Sequence, residues 1–536
     1  MGRTISGIFE LGQDATKYEK LEIKGIETQN INGHQLITIK PNVLEKLTYK
    51  AFAQISHYLR SDHLKALAEI SKDNKASLND RYVAGELLEN SVIAAKGILP
   101  LCQDTGTAIV YGLKGQNVFS GEDDAKFIEK GICEAYKKLN LRYSMNAPLS
   151  MYDEINTKNN LPAEIDLKII KGDEYKFLFM AKGGGSANKT FLFQETRALL
   201  SKEKLLDFLY QKILTIGTSA CPPYHIGIAI GGMTPELCLK TAKMASARYY
   251  DRLPKTGNAK GIAFRDLETE KSIVELANKT GYGAQFGGHK FCLDARVIRM
   301  PRHGASLPIA IAVSCSADRQ IKAKINQDGV FIEKLETNPK KFFTIKNKPE
   351  ITEDKKINLD KPMTEVLNQI SKHNIGDLLY LSGTIIVARD IAHARFKAEL
   401  DKTGDMPDYL RKHPVFYAGP AKTPEGCLCG AIGPTTAGRM DVYIDEFQKN
   451  GASMISIAKG LRSEQVAKAC NKYGGFYLGA IGGAAASLAT KIKEIKTIAY
   501  EELGMEAVFE VKVVDFPVFI LVNNKGEDFY QNIIKK

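Results

Sequence analysis

Three of the chain's nine cysteines stand where a side chain can project into a cleft from a fixed backbone. Cys102 lies in Ile98-Leu-Pro-Leu-Cys-Gln-Asp-Thr-Gly-Thr107, and Cys221 lies in Ser219-Ala-Cys-Pro-Pro-Tyr-His-Ile226, ahead of Gly231-Gly232. Cys315 lies in Val313-Ser-Cys-Ser-Ala-Asp-Arg319, just after an apolar run. Each context reads as a junction between strand and loop. Three thiolates brought together suit an iron–sulfur cluster. Supplying three rather than four leaves one iron with an open position, as catalytic zinc sites keep one for substrate. Spacing alone favours a plainer reading, three separate buried thiols. The other six are Cys133, Cys238, Cys292, Cys427, Cys429 and Cys470. The odd total and wide spacings argue against a disulfide framework. Cys427 and Cys429 have one residue between them, too few for a zinc-ribbon or thioredoxin-type pair.

The elements that must position these residues follow from hydrophobic periodicity. Val43, Leu44, Leu47, Ala51, Phe52 and Ile55 recur at helical spacing. A second helix is expected from Ser77, with Asp80 completing a cap, to Gly97. Ile165, Leu167 and Ile169, then Phe177 and Phe179, alternate about Gly172-Asp173 and predict a β-hairpin. The runs 226–230 and 308–313 predict buried strands leading into the glycine- and cysteine-bearing loops. Lysines, scattered prolines and little periodicity mark about 326–362 as a connection. The division is therefore 1–330, a linker 331–362, and 363–536, with no internal repeat. The last part opens on a strand-like Leu378–Ala388, a helix through His393 to Leu400 and a strand through Ile455. A final pair of strands, 507–514 and 517–523, closes it.

Length and composition bound the rest. At 536 residues, 44% hydrophobic and without Trp, the chain needs more than one core. No stretch reaches the roughly 20 apolar residues that cross a bilayer. The N-terminus lacks a secretory or transit signal, so a cytoplasmic location is expected. Gly2 and Ser6 match only the loose myristoylation pattern, without a basic companion. The net charge of +12 suits an anionic small molecule. It would also suit a cluster-sensing nucleic-acid binder, but the lysines are dispersed and no nucleic-acid-binding signature accompanies them. A closed structural zinc site would need a fourth ligand. Lys182-Gly-Gly-Gly-Ser186 lacks the full phosphate-loop pattern; its glycines suit close approach of backbone amides to a carboxylate. Gly479-Ala-Ile-Gly-Gly483 reads as close packing, and His57, His63 and His289 as structural or surface residues.

Leu101-Cys-Gln-Asp-Thr-Gly-Thr107, Lys182-Gly-Gly-Gly-Ser-Ala-Asn188, Cys221-Pro-Pro-Tyr-His225 and Gly433-Pro-Thr-Thr-Ala-Gly-Arg439 together resemble the class I, iron–sulfur-dependent fumarate hydratases in their fused single-chain form. The motifs occur in family order across nearly the whole chain. The resemblance implies a mixed α/β and α+β fold, with a cluster-bearing N-terminal α/β domain and a smaller C-terminal swivelling-type α/β domain, the active site lying between them. It implies a homodimer, a small dicarboxylate as substrate, and no membrane or nucleic-acid partner. It implies a [4Fe-4S] cluster on Cys102, Cys221 and Cys315, and substrate contacts from Gln103, Asp104, Arg142, Gly185, Arg389, Thr435, Arg439 and Lys459. Thr435 is the implied base, Asp104 the implied acid, and His303 lies near substrate; the first two roles could be exchanged. The residue types suit the chemistry. Malate must lose hydroxide and a weakly acidic proton, so an open iron can serve as Lewis acid and arginine forks can hold the carboxylates. A related tartrate or methylated-fumarate dehydratase is the alternative.

Overall fold

The computed structural model describes residues 5–31, 33–343 and 351–534. Two large sheets build most of the first part of the chain. One has six strands in the order Tyr18–Leu21, Gly329–Glu333, Gln320–Asn326, Tyr175–Lys182, Thr107–Gly115 and Glu164–Ile170. Side chains alternate along its inner strands. Ala108, Val110, Phe177 and Phe179 face helices Pro41–His57 and Asp124–Lys138. Ile109, Tyr111, Leu178 and Met180 face the helix Pro235–Ser246. Both faces are thus covered, which explains the near-continuous apolar runs. The second sheet is ordered Phe191–Glu195, Leu307–Ser314, Tyr224–Gly232, Cys292–Arg302 and Phe264–Arg265.

The hairpin expected around Gly172-Asp173 does not form. Thr107–Gly115 inserts between the two arms, parallel to Glu164–Ile170 and antiparallel to Tyr175–Lys182. The turn must therefore arch over a strand end. Gly115 sits beneath it, where an added Cβ would lie 2.5 Å from the Gly172 carbonyl oxygen. The second helix is Leu78–Ala94, capped by the Ser77 hydroxyl accepting from the Asp80 amide. It stops before Gly97, which turns the chain at φ +74°.

In the last part, Leu378–Val387, Val415–Phe416, Ile455–Ala458 and Phe476–Gly479 run parallel in succession. Val508–Val522 lies antiparallel to both the last and the first of them, so five strands close on themselves. That strand replaces the expected final pair: it is one element that bends at Asp515, φ +52°. Residues 344–350 of the stretch read as a connection lie outside the described residues. On either side, Gly329–Glu333 joins the six-stranded sheet and Lys356–Asn358 joins the closed one. The chain is a mixed α/β structure. Phe519 of the long strand stacks on Phe286 with ring centroids 4.0 Å apart, so both parts share apolar core. Among the described residues no helix is long and apolar enough to cross a membrane.

Candidate active site

Sheet topology collects the cysteine loops at one end. Tyr224–Gly232 begins, and its antiparallel neighbour Leu307–Ser314 ends, at His225 opposite Ser314. Cys221 precedes the first and Cys315 follows the second, and the Ser316 amide donates to the Cys221 carbonyl at 3.0 Å. Cys102 precedes Thr107–Gly115, whose first residue lies opposite Lys182 at the end of its neighbour. Cys221 takes φ +65°, a conformation that costs energy outside glycine and needs support from its surroundings. All nine cysteines are free, and Cys102 and Cys221 are buried.

Beside these thiols opens a cleft of about 790 Å³ between the two parts of the chain. Gln103, Asp104, Arg142, Gly185, Arg389, Thr435, Arg439 and Lys459 all line it. The first four come from the first part and the others from the second. Gln103 bridges the parts by donating to the Pro434 carbonyl at 3.2 Å. Thr435 and Lys459 are fixed together, since the Lys459 amide donates to the Thr435 carbonyl at 3.2 Å. Arg439 donates to the Thr435 hydroxyl and pairs with Asp390 at 3.3 Å.

The electrostatics of the cleft are dominated by its arginines. Arg389 is half-buried beside Arg142 and Arg439, and desolvation with this repulsion pushes it down to about 9, although Asp390 opposes the change. Asp104 accepts from the Gly184 amide at 2.7 Å and faces Arg142 at 3.4 Å. Burial works to raise its pKa, but Arg142, Arg319 and that amide outweigh burial and hold it below the ordinary carboxylate value. The Lys182–Ser186 loop therefore serves Asp104: a Cβ on Gly183 would lie 2.7 Å from the carboxylate. Lys182 itself donates to the Val313 carbonyl and the Ser246 and Ser314 hydroxyls. The Lys459 ammonium lies 2.9 Å from the Cys221 sulfur. Burial disfavours its charge, yet Cys221 and Cys102 outweigh this and raise its pKa. Burial pushes the Cys221 thiol up to about 11 against that ammonium.

The sequence reading did not assign Arg319, although it ends the Cys315 motif. Arg319 is buried, its Nε has no hydrogen-bond partner among the described residues, and it faces Cys102 and Cys315. Glu506, the ion-pair partner of Arg389, gave no signal, being far away in sequence. His303 does not enter this chain's cleft. It sits exposed in the turn between Cys292–Arg302 and Leu307–Ser314, accepting from the Ala305 amide at 3.2 Å. Two histidines nearby are structural. His63 Nδ1 lies 2.9 Å from His225 Nε2, His63 Nε2 lies 3.0 Å from the Ser316 carbonyl, and His225 Nδ1 lies 2.7 Å from Asp294. Two acceptors and one shared contact require three protons on four ring nitrogens, hence one positive charge. Burial pushes His63 down to about 4.

The description "Fumarate hydratase (Fumerase)" matches residues 45–324, and "Fumarase C-terminus" matches 329–533. The anaerobic class I fumarate hydratase of Escherichia coli K12 is 54% identical over 98% of this chain and 97% of its own. This chain belongs to the class I fumarate hydratases. Fumarate hydratase 2 of Leishmania major is 51% identical over 97% of this chain and 92% of its own. A putative L(+)-tartrate dehydratase alpha subunit of Methanocaldococcus jannaschii is 30% identical over only 53% of this chain, though 98% of its own. The fumarate hydratase family thus spans both parts of the chain that wall the cleft, and the subunit of the split enzyme matches about one half.

Proposed function

We propose that this cleft hydrates fumarate reversibly to (S)-malate, with Cys102, Cys221 and Cys315 holding a [4Fe-4S] cluster. The observation that carries the reading is a set of three neighbouring thiols beside a cleft of mutually repelling arginines, which a dianion would relieve. The thiols fit such a group. Thiolate is a preferred ligand of iron in clusters, and Arg319 and Lys459 supply buried charge that thiolates would offset. Among the described residues, ligand atoms of His63, His225 and Asp318 also lie within 4.8 Å of one another. His63, His225 and Asp318 already bond one another, Arg248 and the backbone. When bound, the cluster would supply an open iron as Lewis acid.

The chain's own residues do the rest. Arg142, Arg389, Arg439, Lys459, Gln103 and the Gly185 backbone orient the two carboxylates and stabilise the charge that grows on one of them. Asp104 rests ionised and can take the proton of the adding water; in reverse it returns that proton to the leaving hydroxyl. Thr435 exchanges the proton at carbon, its alkoxide stabilised by the Arg439 guanidinium. The homodimer implied by the family motifs gives His303 a place, since an exposed turn can serve only the cleft of a second copy. A cytoplasmic location accords with this reading. The test supplies fumarate, methylated fumarate and tartrate to anaerobically reconstituted enzyme. Fumarate should show the highest kcat/KM; preference for either competitor overturns the substrate assignment.

A further inference from the structure

Two buried carboxamides outside the cleft touch the backbone beside two of the three cysteines. Asn90, on the helix Leu78–Ala94, donates to the Leu101 carbonyl at 2.9 Å and the Gly483 carbonyl at 3.2 Å. Its oxygen accepts from the Ala486 amide at 2.8 Å and the Ser487 amide at 3.0 Å. Its hydrogen-bonding capacity is used in full. Gln285 donates to the Pro222 carbonyl at 3.0 Å and the Gly482 carbonyl at 2.9 Å, and accepts from the Gly482 amide at 2.8 Å. Leu101 precedes Cys102 and Pro222 follows Cys221. Each amide therefore ties the neighbour of a cysteine to the same short segment of the second part, 482–487, where a loop enters the helix Ala485–Thr490.

That loop presses on the thiols. A Cβ on Gly482 would lie 2.3 Å from the Cys221 sulfur and 3.0 Å from the Lys459 side chain. Gln285 also takes φ +106°, where glycine would be at ease and a longer residue is strained. Glycine has no amide to offer, so the strain is the cost of placing one there. We infer that Asn90 and Gln285 are positioning residues that lock segment 482–487 against Cys102 and Cys221, keeping the thiols and Lys459 in one frame. Cys315 is anchored differently, through His63 and the Ser316 carbonyl.

The inference rests on the cluster reading, but its test separates the two. Gln285→Gly deletes the amide and relieves the backbone, and Gln285→Glu keeps the shape without the donors. Asn90→Asp does the same at the other tie. In the full-length cluster-loaded enzyme, each variant should lose iron to a chelator at least about tenfold faster than the parent. In the full chain stripped of metal, alkylation of Cys221, mapped by mass spectrometry, should rise by a similar factor. Cys470, fully buried in the second part, reports general unfolding and should stay protected. Unchanged Cys221 alkylation in Gln285→Gly and Gln285→Glu overturns the inference, as does equal exposure of Cys470. A parent that binds no iron, with alkylation rising as expected, would instead refute the cluster and keep the lock.

Discussion

Gly482→Ala tests the packing of the thiol floor, because its backbone conformation does not require glycine. The added methyl would start 2.3 Å from the Cys221 sulfur, whereas relaxed heavy-atom contacts lie near 3.5–4.0 Å. The sulfur must therefore retreat by about 1.2 Å or more. Its backbone cannot follow easily, since the Cys221 amide donates to the Thr218 carbonyl and its carbonyl accepts from the Ser316 amide, each at 3.0 Å. Overpacking of this kind costs about 1–3 kcal/mol in stability, and at roughly 2–4 °C per kcal/mol for a mid-sized domain the melting shift stays modest. The effect on iron is far larger, because metal–ligand distances tolerate only about 0.2 Å. Iron content should fall sharply and hydration by at least a hundredfold, read from anaerobic iron analysis and loss of fumarate absorbance. Gly85→Ala is the control, on a helix with nothing within 4 Å of the new methyl. A Gly482→Ala enzyme with full iron and turnover within twofold of the parent would refute the reasoning.

Arg439→Lys keeps the charge but loses the fork that reaches Thr435 and Asp390; kcat/KM should fall about a hundredfold, some 2–4 kcal/mol at the transition state. A loss under twofold would remove Arg439 from the carboxylate clamp. Thr435→Ala should lose turnover with little change in affinity and should stop exchange of malate's carbon-bound proton with solvent. Asp104→Asn should be slow yet retain that exchange, and the opposite pattern would exchange their roles. Asp318 is buried among Arg248, His225, His63 and Arg60, which outweigh burial and hold it below the ordinary carboxylate value. Its stabilisation is therefore full above the unfolded value near pH 4 and lost as pH falls through the folded one. Asp318→Asn should cost about 3–5 kcal/mol at neutral pH, because Arg248 would keep only the exposed Asp62 as a partner, and should flatten the acid limb of urea midpoint against pH. Parallel curves for variant and parent would contradict this.

What the sequence made legible was local. The helix starting at Ser77 is written in a cap and a periodicity that act within one turn. Five of the eight cleft residues, Gln103, Asp104, Gly185, Thr435 and Arg439, stand in motifs in which several neighbours constrain one backbone, whereas Arg142, Arg389 and Lys459 came only with the family resemblance. Long-range pairing was not legible. Nothing near Gly172 reveals that a strand from 107–115 will part the two arms of its hairpin. Nothing in 507–523 distinguishes two strands from one bent at Asp515. Arg319 stood within a quoted motif but carries no chemistry until Cys102 and Cys315 face it. Asn90 and Gln285 are ordinary amides in sequence, and their meaning comes from Gly483 and Gly482, 393 and 197 residues away.

Iron and acid-labile sulfide, counted per chain alongside fumarate hydration, test the central claim most directly. Reconstituted parent should hold about four of each, and Cys102→Ser, Cys221→Ser and Cys315→Ser should each lose the cluster and the activity together. Serine at Cys133, Cys238, Cys292 or Cys470 should leave both intact. Cluster loss from one of these four, or full hydration by any of the first three after prolonged chelation, would contradict the account.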